Sequence, residues 1–352
     1  MRRAVITTTI YRPTNLLDWA HHLRAEDIVV VSGDEKTPHD EVREVLDFIS
    51  DAAGVETSYV VETDTRTSRA VPMRSIQRRN VAVLEAMRIG ADIITTVDTD
   101  NYPLNDHPRS LGFDHIDRIE RTLTEPWTDL VIGSNTGWCN VGEWCDPPVI
   151  HRGWPIGVHS DHVNHGHDGN LRVGVHASLW RGDPDISALE RLLHDPGIMN
   201  VPDYAIALEP GVWCPFNSQA TSYRRELLSL LNVWPGVGRM DDIWPSYVAR
   251  RVMDHLDYLV AYGAPNVRQE RHDHDVVTDL ENEIIGYRHT GTLLEEIVST
   301  GLGGIYDALD ALEEVLETLR ASRRLTDVIP PVTRDFWTAW VADLRELREE
   351  KR

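Results

Sequence analysis

The stretch "RSIQRRNVAVLEAMRIGADIITTVDTDNYP" (residues 74–103) contains a helix-to-strand unit that ends in two aspartates. Residues 74–90 carry apolar side chains at helical spacing and end in a glycine, which predicts an amphipathic helix. Residues 91–100 are rich in Ile, Thr and Val, which predicts a buried strand. The unit is typical of an α/β fold with a mostly parallel sheet, and it places Asp98 and Asp100 at a strand end.

Other segments of the chain repeat this alternation of apolar strands and amphipathic helices. Further strands are predicted at 4–10, 27–34, 57–64, 129–136 and 257–263, and further helices at 16–23, 40–54, 223–232 and 242–256. Between residues 134 and 220 the periodicity is lost and Gly, Pro, His and Trp become frequent, so functional loops are expected there. The pattern predicts a Rossmann-like central sheet flanked by helices.

The end of the chain differs from the part before it. From Thr292 onward it is helical in pattern, with heptad-like apolar spacing in "LDALEEVLETLR" and a final amphipathic "DFWTAWVADLRELREE". We therefore predict a main domain over residues 1–290 and a C-terminal helical appendage over residues 291–352. The appendage is expected to pack on the main domain or on another subunit of a homo-oligomer.

Composition limits the classes of function. The chain has 352 residues, a net charge of -22 and 41% hydrophobic residues, as expected for a globular protein with an acidic surface. This charge disfavours nucleic acid as a partner without excluding a local basic patch. The first residues do not resemble a signal peptide, and no stretch approaches the roughly 20 apolar residues that span a bilayer, so a cytoplasmic protein is expected. Three cysteines in a chain of this length favour reduced thiols.

The two aspartates of "DTD" are candidates for a metal site. On an extended strand their side chains would point to the same face and repel each other, and Mn²⁺ or Mg²⁺ would relieve the repulsion. Such a metal keeps open positions for the phosphates of a nucleotide. The alternative is a solvated turn, for which Asn101 and Pro103 are suitable residues.

Charged residues of two neighbouring segments are candidates for binding a nucleotide. Asp34 and Lys36 follow the strand in "VVVSGDEKTP", where they could contact the ribose or base and a phosphate. Arg74 and Arg78 are four positions apart, which would place them on one helix face, and arginine is a bidentate partner of phosphate. The alternatives are a polar turn and a solvated helix face.

Six segments in colinear order carry a resemblance that covers residues 4 to 290: "VITTTI", "VVSGDEKTP", "RSIQRRNVAVLEAMRIGADIITTVDTDNYP", "HRGWP", "NSQATSYRRELL" and "GRMDDIWPSYVARRV". The sequence resembles the reversibly glycosylated polypeptides, which are plant UDP-arabinopyranose mutases, and the related STELLO-type glycosyltransferases. The resemblance implies a GT-A fold, a divalent metal on the D-x-D aspartates and a nucleotide-sugar donor, usually a UDP-sugar. It also implies donor contacts from Thr8 and Asn80, which lie in matching segments.

The resemblance also implies catalytic residues. Asp241 and Asp242 match an acidic pair in the acceptor half of the site, where a carboxylate could act as general base, with Asp242 slightly preferred. Helix capping is the alternative for this pair. Arg152 matches the arginine that carries the sugar in the mutases, but the second arginine of that pattern is His159 here, which counts against mutase chemistry.

Histidines and one aromatic segment complete the candidates. In "RHDH", His274 is the preferred additional metal ligand over His272, and a surface position in an acidic run is the alternative. The His-rich residues 159–170 are expected to form a mobile loop over the donor, with metal binding as a minority alternative. The segment "GVWCPFNSQ" (211–219) is expected either to line the sugar pocket or to pack in the core.

These observations predict a metal-dependent glycosyltransferase that uses a UDP-sugar and an unidentified acceptor. One alternative is a UDP-sugar mutase that interconverts ring forms. Another is a nucleotidyltransferase, although "TTTIYRPTN" lacks the glycine-rich loop that such enzymes place after the first strand. A non-catalytic binding module is the third alternative.

Overall fold

The structure is a computed structural model that describes residues 2–104, 130–164, 172–183, 185–194, 197, 200–263, 265–273 and 275–351. His274, the expected metal ligand, and residues 165–170 of the His-rich segment lie outside this part of the chain. The strands are β1 (Arg3–Thr8), β2 (Ile28–Ser32), β3 (Glu56–Val60), β4 (Ile93–Thr96), β5 (Asn101–Pro103), β6 (Val131–Ile132), β7 (Val173–Ala177), β8 (Trp180–Gly182), β9 (Ala205–Leu208), β10 (Thr221–Arg224), β11 (Leu259–Gly263) and β12 (Val267–Gln269). The helices are α1 (Asn15–Trp19), α2 (His39–Ala53), α3 (Arg66–Ala70), α4 (Arg79–Ile89), α5 (Ala188–Leu193), α6 (Ile243–His255), α7 (Val276–Ser299), α8 (Ala308–Ala321) and α9 (Pro331–Glu350).

Nine of the described strands form one sheet in the order β3-β2-β1-β4-β10-β7-β11-β9-β6. The four strands from β3 to β4 are parallel, as are the β7–β11 and β9–β6 pairs. Strand β10 lies antiparallel between β4 and β7. The predicted α/β architecture, a mostly parallel central sheet flanked by helices and followed by a C-terminal helical region, is therefore confirmed.

A second sheet positions the acidic turn. Strand β5 follows the D-x-D aspartates directly and pairs antiparallel with β12, so that Asn101 lies opposite Gln269. Strand β12 also pairs with β8, in parallel. The end of β12 therefore lies beside the aspartates in space, although about 170 positions separate the two segments in the sequence.

Two local predictions are wrong. The predicted strand 91–100 ends at Thr96, and Asp98 lies in a turn in which the backbone N–H of Asn101 donates to the Asp98 carbonyl at 3.1 Å. The aspartates therefore do not share one face of a strand. The predicted helix 74–90 begins only at Arg79, because Arg74 has a φ of 58° and interrupts the helical backbone.

The predicted helix at 223–232 is also wrong at its start. Residues 221–224 are strand β10, and a short 3-10 helix follows at 225–230. Strand β10 pairs with β4 on one side and with β7 on the other, and this pairing outweighs the helical spacing of the leucines after it.

The C-terminal helices pack closely on the main domain. The rings of Trp337 in α9 and Trp234 lie 4.8 Å apart, and Trp340 Nε1 donates to the Ser229 carbonyl at 2.9 Å. The Asp343 carboxylate accepts the backbone N–H of Thr67 at the start of α3. Helix α7 runs through residue 290, where the domain boundary was expected. Among the described helices, none is long and apolar enough to cross a membrane.

Candidate functional site

The D-x-D turn lies at the carboxyl end of β4, where open α/β sheets bind ligands. Asn15 Nδ2 holds the turn by donating to the carbonyls of Asp98 and Asn101, at 3.0 and 3.1 Å. The Asp98 side chain is about one-third exposed and forms an ion pair with Arg79. The Asp100 side chain is buried. The turn therefore presents one paired and one enclosed carboxylate.

The buried Asp100 carboxylate has no cationic side chain bonded to it among the described residues. It accepts weak hydrogen bonds from Asn101 Nδ2 at 3.2 Å and Gln269 Nε2 at 3.4 Å. Burial, and then repulsion from Asp98, raise the pKa of Asp100 to about 6, while Gln269 and His272 act in the opposite direction. A nearby cation would oppose this shift, because it favours the charged carboxylate.

Gln269 supplies a further oxygen beside Asp100. Its side chain is buried, and its Oε1 finds no hydrogen-bond partner in the described part of the chain. Within those residues no cluster of three His, Cys, Asp or Glu side chains could hold a metal ion. Two carboxylates and an unpartnered amide oxygen are nevertheless the hard donors that Mn²⁺ and Mg²⁺ prefer. The side chains fit a divalent cation that keeps open positions for other ligands.

Arg79 and Ser218 join the D-x-D turn to the second acidic pair. The buried Arg79 guanidinium pairs with Asp98 and donates through Nη1 to Ser218 Oγ at 2.6 Å. Ser218 in turn donates to Asp242 Oδ2, from its backbone N–H at 2.8 Å and from its hydroxyl at 3.2 Å. Sequence reasoning missed both residues, although Arg79 lies between two residues that it singled out.

Asp242 occupies the N-cap position of α6, but its side chain does not cap the helix. Its Oδ1 instead accepts a hydrogen bond from Arg152 Nη2 at 2.9 Å. The capping alternative therefore does not explain this carboxylate. Arg152 is buried and also pairs with Asp185, at 3.1 Å. Burial opposes the charge on Arg152, but Asp185 and Asp242 together hold its pKa above the ordinary value.

Asp185 is a central residue that no sequence motif marks. It pairs with Arg152 at 3.1 Å and with Arg239 at 2.8 Å. Burial alone would raise the pKa of Asp185, but Arg152, Arg239 and Arg271 hold it well below the ordinary value. The carboxylate is therefore a fixed negative charge between arginines and is unsuited to proton transfer.

The charged side chains close into a ring. Arg239 pairs with Asp279 of α7 at 3.0 Å, and Asp279 pairs with Arg271 at 2.9 Å. The backbone N–H of Glu270, beside Arg271, donates to the Asp100 carbonyl at 2.9 Å. The chain of contacts therefore returns to the D-x-D turn.

Asp241 differs from its neighbour Asp242. Its Oδ2 accepts a hydrogen bond from Gln77 Nε2 at 2.9 Å, and its Oδ1 accepts the Asp242 backbone N–H at 3.0 Å. Burial and repulsion from Asp242 raise the pKa of Asp241 to about 7, against the attraction of Arg152 and Arg239. Asp241 can therefore gain and lose a proton near neutral pH.

The predicted donor residues at the ends of β1 and β2 form a second group. Asp34 is buried and accepts the backbone N–H groups of Arg74 and Lys36. Lys36 itself is exposed, and Thr8 Oγ1 donates to the Ser32 carbonyl at 2.9 Å. Thr8, Asp34 and Lys36 therefore lie at or just after the ends of the parallel strands β1 and β2.

The two predicted phosphate-binding arginines do not share a helix face. The Arg74 side chain is 59% exposed and pairs with Glu35. Arg78 is buried and donates to the Ser68 carbonyl at 3.1 Å, while its Nε and Nη2 have no partner among the described residues. Burial lowers the pKa of Arg78, with Asp34 acting against the shift. Arg78 is thus an incompletely bonded cation, whereas Arg74 is a surface residue.

Asn80 is fully engaged in structure. Its Nδ2 donates to the carbonyls of Gln77 and Val233, and its Oδ1 accepts the Val233 backbone N–H at 2.9 Å. These bonds fasten α4 to the segment before α6. The Asn80 amide is therefore occupied by bonds that stabilise the fold.

Tyr11 is an exposed aromatic that sequence reasoning missed. It follows β1, is 53% exposed, and lies with its ring centroid 5.2 Å from that of His272. A tyrosine directly after the first predicted strand is visible in the sequence, but its exposure is known only from the fold. His272, which contacts Tyr11, also acts on the Asp100 carboxyl and lowers its pKa.

Comparisons with known proteins add little. No protein-family model matches the chain, and no curated protein matches it. Among solved structures, it is similar to mannose-1-phosphate geranyltransferase from Thermus thermophilus, at 11% identity and a TM-score of 0.24. That alignment covers 79% of this chain and 76% of the other. A likeness at this TM-score supports no conclusion about fold or function.

Proposed function

We propose that the protein is a metal-dependent glycosyltransferase of GT-A type that moves a sugar from a UDP-sugar to an acceptor hydroxyl. The observation that supports this most is the connection between the D-x-D turn and the Asp241–Asp242 pair through Arg79 and Ser218. A transferase needs such an arrangement, because the diphosphate must be held on one side of the sugar and the acceptor activated on the other.

Asp98, Asp100 and the Oε1 of Gln269 would hold Mn²⁺ or Mg²⁺. When bound, the metal would neutralise the charge that develops on the leaving diphosphate. Arg79, already paired with Asp98, would fix the orientation of that carboxylate. The raised pKa of Asp100 agrees with this role, since a carboxylate that lacks a bonded cation is costly to keep ionised when buried.

The nucleotide would lie over the ends of β1 and β2. Tyr11 offers an exposed ring on which a base can stack. Asp34 is fixed by two backbone N–H groups and would face the ribose or base, with Lys36 and Arg78 as the nearby cations. Thr8, Arg74 and Asn80 are further candidates for contacts with the donor, although the Asn80 amide already bonds to Gln77 and Val233.

Asp241 is the better candidate for the general base. Its pKa of about 7 suits proton abstraction near neutral pH, and its hydrogen bonds come from the neutral Gln77 amide and a backbone N–H, whereas Asp242 is paired with the cation Arg152. This reverses the slight preference for Asp242 from the sequence. Asp242 would position Ser218 and Arg152 around the reacting sugar, and Arg152 would stabilise negative charge in the transition state.

The mutase alternative is less well supported. It requires Arg152 to attack the sugar as a nucleophile, which needs an uncharged guanidine nitrogen. Arg152 is instead paired with Asp185 and Asp242, and its pKa is raised. A charged guanidinium in this setting is suited to holding anionic groups.

A thermal-shift screen tests the proposal directly. The melting temperature would be measured with UDP, GDP and a panel of UDP-sugars, each with and without Mn²⁺. We expect UDP ligands to raise the melting temperature only when Mn²⁺ is present, because a ligand of the folded state stabilises it. The proposal is wrong if no nucleotide stabilises the protein under either condition.

A further inference from the structure

The loop of residues 217–220, "NSQA", contains a buried polar group that nothing above uses. Gln219 is 2% exposed, and its Nε2 has no hydrogen-bond partner among the residues that the structure describes. The following residue, Ala220, has a φ of 49°, which is an unfavourable backbone conformation for alanine. A fully buried and unpartnered amide donor on a strained loop is unusual, because each feature destabilises the fold.

Asn217 in the same loop is held loosely. Its Nδ2 lies 3.5 Å from both Asp185 Oδ2 and Gln219 Oε1, at the outer limit for a hydrogen bond. Its Oδ1 accepts the Gln219 backbone N–H at 3.2 Å. The two carboxamides therefore retain most of their capacity to bond with a ligand.

The position of the loop limits what this ligand is. Ser218, between the two carboxamides, bonds to Arg79 on the side of the D-x-D turn and to Asp242 on the side of the acidic pair. In a transferase the sugar must lie between the diphosphate and the general base. Asn217 and Gln219 are the chain neighbours of Ser218 in this loop.

We propose that Asn217 and Gln219 form the subsite that binds the hydroxyls of the transferred sugar, with Gln219 Nε2 as donor to one of them. Carboxamides both donate and accept hydrogen bonds, which suits hydroxyl groups. The Asp185 and Asp242 carboxylates beside the subsite are already paired with Arg152, so this cation is not available to a sugar carboxylate. The subsite therefore selects a neutral sugar over a uronic acid. This inference rests on the proposed function.

The test compares Gln219→Met with a matched control, Asn232→Leu. Gln219→Met keeps the length of the side chain and removes the unpartnered donor. Asn232 is also a buried carboxamide, but its Nδ2 donates to the Leu230 carbonyl at 3.1 Å and its Oδ1 accepts from Trp234 Nε1 at 2.7 Å. Dissociation constants would be measured by calorimetry with Mn²⁺ for UDP, UDP-glucose, UDP-galactose, UDP-N-acetylglucosamine and UDP-glucuronate.

We expect Gln219→Met to raise the dissociation constant of the tightest-binding neutral UDP-sugar by about 3- to 10-fold, since one neutral hydrogen bond is lost. The dissociation constant of UDP should change by less than about twofold. The melting temperature of Gln219→Met should equal or exceed that of the wild type. Asn232→Leu should lower the melting temperature and leave the ratio of UDP-sugar to UDP affinity unchanged. Gln219→Glu, which exchanges the donor for an acceptor, should also weaken the neutral sugar selectively.

The outcomes separate the two proposals. If the wild type binds UDP but Gln219→Met and Gln219→Glu change UDP and UDP-sugar affinity equally, or not at all, the subsite assignment is wrong and the proposed function stands. Tighter binding of UDP-glucuronate than of every neutral sugar would overturn the selectivity. If the wild type binds no UDP with Mn²⁺, the proposed function fails and this inference fails with it.

Discussion

Arg152 Nη2 donates a 2.9 Å hydrogen bond to Asp242 Oδ1, across 90 positions of the sequence. The bond joins the segments "HRGWP" and "GRMDDIW", neither of which reveals its partner when read alone. Because Arg152 also pairs with Asp185, one buried guanidinium holds two carboxylates at the centre of the candidate site. The catalytic half of this site depends on that cation.

Replacing the central cation should destabilise the protein strongly. Arg152→Met leaves Asp242 without its only described cationic partner, and breaking a buried ion pair from one side costs about 3–5 kcal/mol. The free energy of unfolding would be measured by urea denaturation. As a control, Arg324→Met removes an exposed pair with Glu295 and should cost less than about 1 kcal/mol. Equal costs for the two variants would contradict the central role of Arg152.

Deprotonation of Asp241 should lower the free energy of unfolding as pH rises between about 4 and 7. The pKa of Asp241 is about 7 in the folded protein and near 3.8 when unfolded, so the folded state binds more protons between these values. The contribution of Asp241 to stability is then fully present below about pH 4 and is lost as pH rises through about 7. Asp242 raises this pKa, while Arg152 and Arg239 lower it.

The variant Asp241→Asn removes the titrating carboxyl and keeps its shape. Its melting temperature should vary less between about pH 4 and pH 7 than that of the wild type, when both are recorded in the same buffers without metal. An identical pH dependence for the two proteins would show that Asp241 does not titrate in this range.

The hydroxyl of Ser218 should matter for turnover more than for stability. It accepts from Arg79 and donates to Asp242, so Ser218→Ala loosens the two halves of the site relative to each other. We expect about a 10-fold lower rate of UDP release from a UDP-sugar, which corresponds to the loss of one hydrogen bond in the transition state.

Ser246→Ala is the matched control for this variant. Ser246 is also buried and bonded, to the Ile243 carbonyl and the Phe216 N–H, but it lies on α6 outside the charged ring. Its replacement should lower the melting temperature without a comparable loss of turnover. If Ser246→Ala lost turnover and Ser218→Ala lost only thermal stability, Ser218 would not connect the two halves of the site as proposed.

The contact between α9 and α3 should contribute to the free energy of unfolding. The Asp343 carboxylate accepts the N–H groups of Arg66 and Thr67, at 3.1 and 2.6 Å. Asp343→Ala should therefore cost about 1–2 kcal/mol, as for the loss of a helix cap. Glu346→Ala, one turn later with an exposed side chain, should change stability by less than about 0.5 kcal/mol. Similar values for both variants in urea denaturation would argue that α9 is only loosely attached.

The class of fold could be predicted because apolar periodicity is local. Residues 93–96, followed by aspartates, have the composition of a buried strand whatever their partners are. The antiparallel insertion of β10 could not be predicted, because strand direction depends on pairing with β4 and β7. The helix before β4 was predicted too long, since a positive φ at Arg74 is a tertiary effect.

The candidate site was predictable where a motif is contiguous. The spacing of Asp98 and Asp100 predicts that the two residues act together, and they lie in one turn rather than on one strand face. Gln269 and Asp185 could not be found, because their importance comes from contacts across strands and loops. Ordinary residue types acquire such roles only through tertiary neighbours.

Calorimetric titration with UDP tests the central claim most directly. UDP would be titrated into the wild type and into Asp100→Asn, each with Mn²⁺ and with EDTA, with Asp254→Asn as a control for loss of another carboxylate. Asp254 pairs with Arg250 on α6 and faces Gly211. We predict that Mn²⁺ strengthens UDP binding at least about tenfold in the wild type and Asp254→Asn but not in Asp100→Asn. Undiminished metal dependence in Asp100→Asn would contradict the account.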